Sequence, residues 1–262
     1  MDPLGAVGGF VLRQWRRRFY LVVVAATVLL VSLRARNWPR TVRNVLARQV
    51  LFTGVEATRF ISLIAFAVGL VVVAQAQLWT GKVGQARLLG PILVTVIIRE
   101  LAPVLANFVV IGRSGNAIAA ELSNMTVSGE VRVLDAQGLD PLTYLVMPRV
   151  LGMMIAVFCL TVVMIFMSLF SGYLFSALVA GKGADVGLFL ESIAGAIRPV
   201  DLYSVLAKTL VPSLLSAVIA CTEGLSVEPS VTEVPRATTR SLERSMVTLF
   251  ITTALISALT YL

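Results

Sequence analysis

The sequence contains no histidine. That absence excludes a Ser-His-Asp triad, a Cys-His dyad and a histidine metal cluster. Cysteine is nearly absent as well, since the only two are Cys159 and Cys221, each inside a long apolar stretch. We interpret both as small buried hydrophobic residues rather than as a disulfide. The sequence therefore predicts no metal site, no cofactor and no redox chemistry.

A phosphate-binding loop is missing too. That motif ends in Gly-Lys followed by Ser or Thr, whereas here Gly81-Lys82 is followed by Val83, and Gly181-Lys182 is followed by Gly183. If ATP drives this protein, another chain must hydrolyse it.

Charged residues are scarce, at 14% of 262 residues, while 58% of the chain is hydrophobic. In soluble domains about a quarter of the residues are charged. The mean hydropathy of +0.91 agrees with an integral membrane protein. We therefore predict an all-α, polytopic membrane protein that forms a single transmembrane domain over residues 1–262.

The net charge of +8 is unevenly distributed. Residues 1–59 hold ten arginines against Asp2 and Glu56, so 10 − 2 = +8, and the remaining 203 residues carry twelve charges of each sign. Such a basic segment suits nucleic acid or an anionic membrane surface. Because it adjoins apolar runs, we favour the membrane and expect no nucleic acid partner.

Five apolar runs are long enough to cross a bilayer, which takes about 20 residues. Three of them contain no charge, and two contain charges, namely Arg99-Glu100 and Lys208. The predicted spans are residues 60–81, 88–112, 150–181, 202–222 and 245–262.

Residues 19–33 are apolar but too short for a secure span, so the Lys and Arg bias decides their placement. If they lie along the membrane surface, sixteen basic residues fall on the inner side and four on the outer side; if they cross, the bias weakens to twelve against eight. We predict a basic interfacial segment over 1–58 with a cytoplasmic amino terminus. A signal peptide is the rival interpretation, but no small-x-small cleavage site follows, and an arginine-dense stretch does.

The polar interval 113–149 then faces the cytoplasm. Val127, Val131 and Leu134 fall at i, i+4 and i+7, which places them on one face of a predicted short helix. Gly138 is suited to end that helix, and Asp140-Pro141 to begin the next. The apolar face either packs on its own protein or enters a groove on a cytoplasmic partner as a coupling helix.

A resemblance adds to this pattern. Arg99 to Arg149 is similar to the signature region of the MlaE (YrbE) family of ABC-transporter permeases. The matching residues are Arg99-Glu100-Leu101-x-Pro103, Gly112-Arg113-x-Gly115, Ala120-Glu121, Glu130 and Gly138-x-Asp140-Pro141. Residues 235–240, Pro-Arg-Ala-Thr-Thr-Arg, resemble the short loop before the family's last helix.

The resemblance implies a permease dimer in the cell inner membrane, with cytoplasmic ATPase subunits and a periplasmic MCE-domain protein. Its cargo would be phospholipid or a related lipid, moved between the two membranes of a diderm envelope. The residues expected to mediate coupling to the ATPase are Glu121, Val127, Glu130, Val131, Arg132, Leu134, Asp135 and Asp140.

Arg99 and Glu100 are costly in a span, where a charge costs from about 2.5 to over 10 kcal/mol. Pro103 frees the backbone carbonyl of Arg99 and kinks the helix. One interpretation is a buried structural ion pair that includes Lys208. The other is that Arg99, Glu100, Pro103 and Lys208 belong to a substrate cavity at the dimer interface, which the lipid head group enters.

Two further segments carry weaker expectations. Arg236, Arg240 and Arg244 recur every four residues as a basic ladder, which either anchors the chain to anionic head groups or makes a second ATPase contact. A helix over 186–197 outside the membrane is a candidate binding site for a periplasmic partner.

A secondary transporter or channel that uses Arg99, Glu100 and Lys208 as an ion relay is the alternative function, and a membrane scaffold without substrate is a third.

Overall fold

A computed structural model of the protein describes residues 20–34, 38–83, 89–180, 186–230 and 232–261. Most of these residues are helical and none of them forms a strand, so the all-α prediction is confirmed. The helices are α1 (Tyr20–Ser32), α2 (40–83), α3 (Leu89–Val127), α4 (Glu130–Ala136), α5 (142–180), α6 (Val186–Ala194), α7 (Pro199–Leu225) and α8 (Glu233–Tyr261).

Five of these helices, α2, α3, α5, α7 and α8, are long and apolar enough to cross a membrane. The protein is therefore a multi-pass membrane protein, as predicted. α3 has 39 residues, which at 1.5 Å per residue is about 58 Å, well beyond the roughly 30 Å of a hydrocarbon core.

The helices extend beyond the predicted spans mainly at one end of the bundle. Residues 40–59, 113–127, 142–149 and 233–244 are all helical and continue the predicted spans. We call this end, where residues 128–141 join α3 to α5, the loop side, and the end that carries α6 the opposite side. Charge-free runs underestimate the lengths of these helices, because the part of a helix that lies outside the hydrocarbon tolerates charged residues.

α1 is shorter than a membrane-spanning helix requires. Val24, Ala25 and Val28 on one face are buried in the main hydrophobic core, whereas Val22 and Leu30 are 57% and 65% exposed. α1 therefore packs along the bundle rather than adding a sixth long helix. Residues 1–19 and 35–37 of the predicted interfacial segment lie outside the described residues.

α2 and α5 run parallel in very close contact. A Cβ atom on Gly69 would lie 2.1 Å from the Ser168 carbonyl oxygen, and one on Gly172 would lie 2.3 Å from a Val73 methyl carbon. The Ser168 hydroxyl donates to the Ala65 carbonyl at 3.0 Å. Only glycine allows the two backbones to approach this closely.

α7 is the central helix of the bundle. In its most apolar window 56% of the residues are buried, against 17% in α8. It packs against α3, where a Cβ on Gly224 would lie 2.8 Å from the Cβ of Leu122, and it also packs against α8. Polar groups on α7 are therefore enclosed by neighbouring helices.

Four stretches of the long helices are π-helical. They are Leu51–Val55, Val94–Leu101, Ile111–Gly115 and Leu142–Val146. Wide turns of this kind are rare and occur often at functional sites. The stretch Val94–Leu101 contains Arg99 and Glu100, and no sequence signal that we used predicted it.

Both cysteines are free thiols. Cys221 is buried, as predicted, but Cys159 is exposed on the surface of α5, so the prediction of burial is wrong there. An apolar stretch alone does not distinguish the outer face of a membrane helix from its packed face.

Candidate functional site

Two acidic and two basic side chains from α3 and α7 are paired near the opposite side. Lys208 Nζ lies 2.6 Å from Glu100 Oε1. Arg99 binds Asp201 through two contacts, Nε to Oδ1 at 2.8 Å and Nη2 to Oδ2 at 3.0 Å. We call these four residues the four-charge cluster; their charges sum to zero, and both pairs join α3 to α7.

The members of the cluster differ in burial. The side chain of Lys208 is 0% exposed and that of Asp201 is 2% exposed, whereas Arg99 is 16% and Glu100 is 45% exposed in the single chain. On α8, the hydroxyl of Ser257 donates to Glu100 Oε1 at 3.2 Å. Glu100 is therefore the member of the cluster that reaches the surface of the chain.

Two prolines provide the acceptors that lock α3 to α7. Pro103 has no N–H for the carbonyl of Arg99, and Lys208 Nζ donates to that oxygen at 2.9 Å. Pro212 likewise has no N–H for the carbonyl of Lys208, and Asn107 Nδ2 donates to that oxygen at 3.3 Å. Each proline thus frees a carbonyl that a side chain of the other helix binds.

The predicted substrate-cavity residues Arg99, Glu100, Pro103 and Lys208 are brought together, and the expected ion pair of Glu100 with Lys208 is present. Asp201 was missed because it was placed in the loop outside the membrane. It lies in the first turn of α7, where its Oδ2 accepts the N–H of Arg198 at 2.8 Å. A Pro at the first helical position and an acid two residues later are a helix-start signal that could have located it.

The predicted short helix of the α3–α5 loop differs from the structure. Val127 ends α3, the chain turns at Gly129 with φ 80°, and only Val131 and Leu134 belong to α4. The prediction of one helical face is wrong because the turn separates Val127 from the other two. Val131 and Leu134 pack partly against the protein's own core. The exposed residues of α4 are Glu130, Arg132, Val133, Asp135 and Ala136.

The signals that end α4 and begin α5 are confirmed. Gly138 has φ 73°, the left-handed conformation expected after a helix end. Asp140 accepts the N–H of Leu142 at 3.1 Å and that of Thr143 at 3.2 Å, as a helix cap does. These contacts fix the path of the chain from α4 into α5.

Glu121 joins α3 to α5 at the base of this loop. Its carboxylate lies 2.8 Å from Arg149 Nη2, and Arg149 Nη1 donates to the Leu145 carbonyl at 2.9 Å. The side chain of Arg149 is 6% exposed and that of Glu121 is 56% exposed. Glu121 therefore already holds an internal contact that positions the loop.

The arginine ladder of α8 is paired with two glutamates. Glu223 binds both Arg244 and Arg240, the latter at 3.7 Å. Glu233 binds Arg236 at 2.7 Å and Arg240 at 3.5 Å. We call these five residues the loop-side cluster. Two of its three positive charges are balanced within the chain.

The helix predicted over 186–197 is present as α6, which ends at Ala194. A Cβ on Gly90 would lie 2.2 Å from the carbonyl oxygen of Ser192, so α6 lies directly on the start of α3. Ile193 is buried in this contact, whereas Leu190 is 56% exposed.

Together, the five long helices define an all-α, multi-pass membrane protein whose central helix forms salt bridges toward both of its ends. A family model described as Permease MlaE matches residues 46–259. The chain belongs to the MlaE permease family, and we accordingly regard it as a transport permease rather than an enzyme.

Individual relatives agree with this membership. Protein TRIGALACTOSYLDIACYLGLYCEROL 1, chloroplastic, from Arabidopsis thaliana is 30% identical over 93% of this chain and 68% of that protein. A probable ABC transporter permease protein of Rickettsia prowazekii is 30% identical over 82% of this chain and 83% of its own length. A similarly named protein of Synechocystis sp. is 30% identical over 84% of this chain and 82% of its own length.

Proposed function

We propose that this chain is the permease subunit of an ABC transporter that moves phospholipid or a related lipid between the inner and outer membranes of a diderm envelope. Family membership and relatives named as ABC transporter permeases support the transporter class. The plant relative is named after trigalactosyldiacylglycerol, a lipid, which supports the cargo class. Two copies of the chain would enclose the lipid path.

The observation that carries this proposal is the exposure of Glu100. A carboxylate within a membrane-spanning helix does not face lipid tails, because the cost of burying a charge in hydrocarbon is several kcal/mol. Yet 45% of the Glu100 side chain is exposed on the single chain. A cavity between two copies, entered by a polar head group, provides the environment that this carboxylate requires. Arg99, 16% exposed, would line the same cavity, whereas Pro103 and Lys208 would support it from within.

The loop side is proposed to be cytoplasmic, since the Lys and Arg bias favours that orientation. The exposed face of α4 would then contact a cytoplasmic ATPase through Glu130, Arg132 and Asp135. Glu121 and Asp140 would position α4 rather than touch the partner, because both form contacts within the chain. ATP binding by the partner must favour one permease conformation over the other, or no work is transmitted.

On the opposite side, the exposed part of α6 would seat a periplasmic MCE-domain protein.

Purification of the tagged chain from its native inner membrane tests the assembly. We expect an ATPase and an MCE-type protein to accompany it. A chain that purifies alone and conducts ions in liposomes without ATP would overturn the proposal and favour an ion relay through the four-charge cluster.

Substitution of Glu100 tests the lipid path. Glu100→Gln removes a charge-assisted contact worth about 1.5–3 kcal/mol, so we expect ATP-driven lipid transfer in proteoliposomes to fall about tenfold or more. Because Glu100→Gln also removes an ion-pair contact of Lys208, the double variant Glu100→Gln/Lys208→Met, which removes both charges, is assayed beside it. Glu228→Gln, the same change in an exposed loop-side residue, is the control.

The double variant, once it is shown to retain its partners, distinguishes a role of Glu100 in acting on the substrate from a structural role. If it retains its partners but transfers lipid slowly, the charge acts on the substrate. If it transfers lipid at the normal rate, the cluster is structural, and the proposed role of Glu100 is wrong.

A further inference from the structure

A cavity of about 600 Å³ lies between α1 and the loop-side ends of α7 and α8. One part of its lining is apolar and includes Tyr20, Leu21, Ile219, Leu225 and Val247. The other part is polar, with two carboxylates and one guanidinium, from Glu223, Glu243 and Arg244. A ligand that matches both parts must be amphipathic. The volume lies within the roughly 300–1,000 Å³ of typical small-molecule sites.

The cavity lies at the level where α8 changes character. Residues 233–244 of α8 carry all of its charged side chains, and residues 245–262 of the chain carry none. The cavity includes Glu243 and Arg244 from the first part, and Val247 and Thr248 from the second. A tyrosine at this level is typical of the boundary between water and membrane. The cavity therefore lies at head-group depth.

The mouth of the cavity opens on the surface of the chain. Tyr20 is 59% exposed and Val247 is 55% exposed, although both line the cavity. Both side chains are apolar over most of their surface, so the opening suits the bilayer rather than water. A lipid in the surrounding leaflet could enter without any helix separating.

The charges of the lining favour a cationic head group. Glu223 already binds Arg244 and Arg240, whereas Glu243 is exposed and forms no ion pair with a described residue. Since two arginines already bind Glu223, the carboxylate of the lining that a cationic group can bind is that of Glu243. A ligand with an ammonium group next to a phosphate matches this arrangement, whereas a purely anionic lipid does not.

We infer that this cavity binds a zwitterionic membrane phospholipid with a primary ammonium head group, taken from the leaflet on the loop side. The ammonium binds Glu243, the phosphate faces Arg244, and the glycerol and first acyl carbons lie along Leu21 and Val247. This site is separate from the proposed lipid path, since Glu223 follows Lys208, the partner of Glu100, by 15 residues on α7, about 22 Å at 1.5 Å per residue. The inference therefore does not depend on the proposed transport function.

Native mass spectrometry of the full chain in detergent tests the site. Phosphatidylethanolamine and phosphatidylglycerol with identical acyl chains are titrated against the wild type, Glu243→Gln and the matched control Glu228→Gln. We expect the wild type to prefer phosphatidylethanolamine, and Glu243→Gln to weaken its binding at least about threefold, as expected for a partly exposed charge pair. Glu228→Gln should bind like the wild type, because Glu228 is exposed and does not line the cavity. Equal binding by wild type and Glu243→Gln, or equal binding of both lipids, would overturn the inference.

A photoreactive benzoylphenylalanine at position 21 identifies the occupant of the cavity. In native membranes we expect it to crosslink to phospholipid. Crosslinks only to residues 1–19 of the same chain, which include Arg16, Arg17 and Arg18, would show that the amino-terminal segment fills the cavity instead. Crosslinks only to another protein would likewise overturn the lipid assignment.

Discussion

The four-charge cluster and the loop-side cluster lie toward opposite ends of α7, with Glu223 about 22 Å from Lys208 and about 33 Å from Asp201 along the helix. In the first, Lys208 and Asp201 are 0% and 2% exposed. In the second, the arginines are 34% to 72% exposed. The buried members of the first cluster are thus more enclosed than those of the second, Glu223 and Glu233, which are 11% and 20% exposed.

This difference has an energetic consequence. A buried pair gains little net stability, because desolvation offsets attraction, but removing one partner leaves an uncompensated charge that costs about 3–5 kcal/mol. An exposed pair contributes about 0–1 kcal/mol, and its loss costs no more. The four-charge cluster therefore fixes the pairing of α3 with α7, whereas the loop-side cluster adds little to the stability of the contact between α7 and α8.

Asp201→Asn is expected to be the most damaging single substitution in either cluster. It removes the carboxylate that the Arg99 guanidinium, 16% exposed, binds through two contacts. We expect a loss of about 3–5 kcal/mol in the free energy of unfolding, measured by denaturant titration in mixed micelles. Arg99→Gln/Asp201→Asn removes both charges and should recover most of the loss. A loss below about 1 kcal/mol for Asp201→Asn would contradict the comparison.

Glu100→Gln should cost less, about 1.5–3 kcal/mol. The side chain left behind, Lys208, keeps its contact with the Arg99 carbonyl at 2.9 Å. The Glu100 side chain is also 45% exposed, against 2% for Asp201, so water can replace part of the lost contact. The same titration checks the order of the two variants. A larger loss for Glu100→Gln than for Asp201→Asn would show that the exposure of the carboxylate does not set the cost of removing it.

Local chemistry made part of this site predictable from the sequence. The Gly138 helix end and the Asp140-Pro141 helix start depend on neighbouring residues, and both are present. The pairing of Glu100 with Lys208 could also be anticipated, because two opposite charges in apolar spans have few other partners.

The rest depends on tertiary structure. Arg99 and Asp201 are 102 residues apart, and Asp201 lies outside the charge-free runs that marked the spans. The sequence predicts a kink at Pro103 but not the π-helical turn Val94–Leu101 that precedes it. The helical extensions of α2 and α3 on the loop side were not predicted, because polarity marks where the membrane ends and not where a helix ends. Sequence reasoning therefore located the charged residues in the spans but missed one of their partners.

Glu223→Gln tests the loop-side end of the comparison. It removes the carboxylate that Arg244 and Arg240 share, but Arg240 keeps Glu233 at 3.5 Å. Glu223 is 11% exposed, whereas its partners are 34% and 43% exposed. Water can therefore solvate the released arginines, and we expect a loss of about 1–2 kcal/mol by the same titration. A loss equal to that of Asp201→Asn would show that the two clusters do not differ in the cost of removing a carboxylate.

Arg236→Gln should have the smallest effect, about 0.3–0.5 kcal/mol, because its 72% exposed side chain pairs with Glu233 only one helical turn away. High salt distinguishes this exposed pair from the buried pairs. At about 1 M ionic strength the screening length falls to about 3 Å, so the difference between Arg236→Gln and wild type should vanish. The deficit of Asp201→Asn should persist at the same salt concentration, since ions do not enter the contact between α3 and α7. If salt instead reduced both deficits alike, the four-charge cluster would have to be open to solvent, and its role in fixing the α3–α7 contact would be lost.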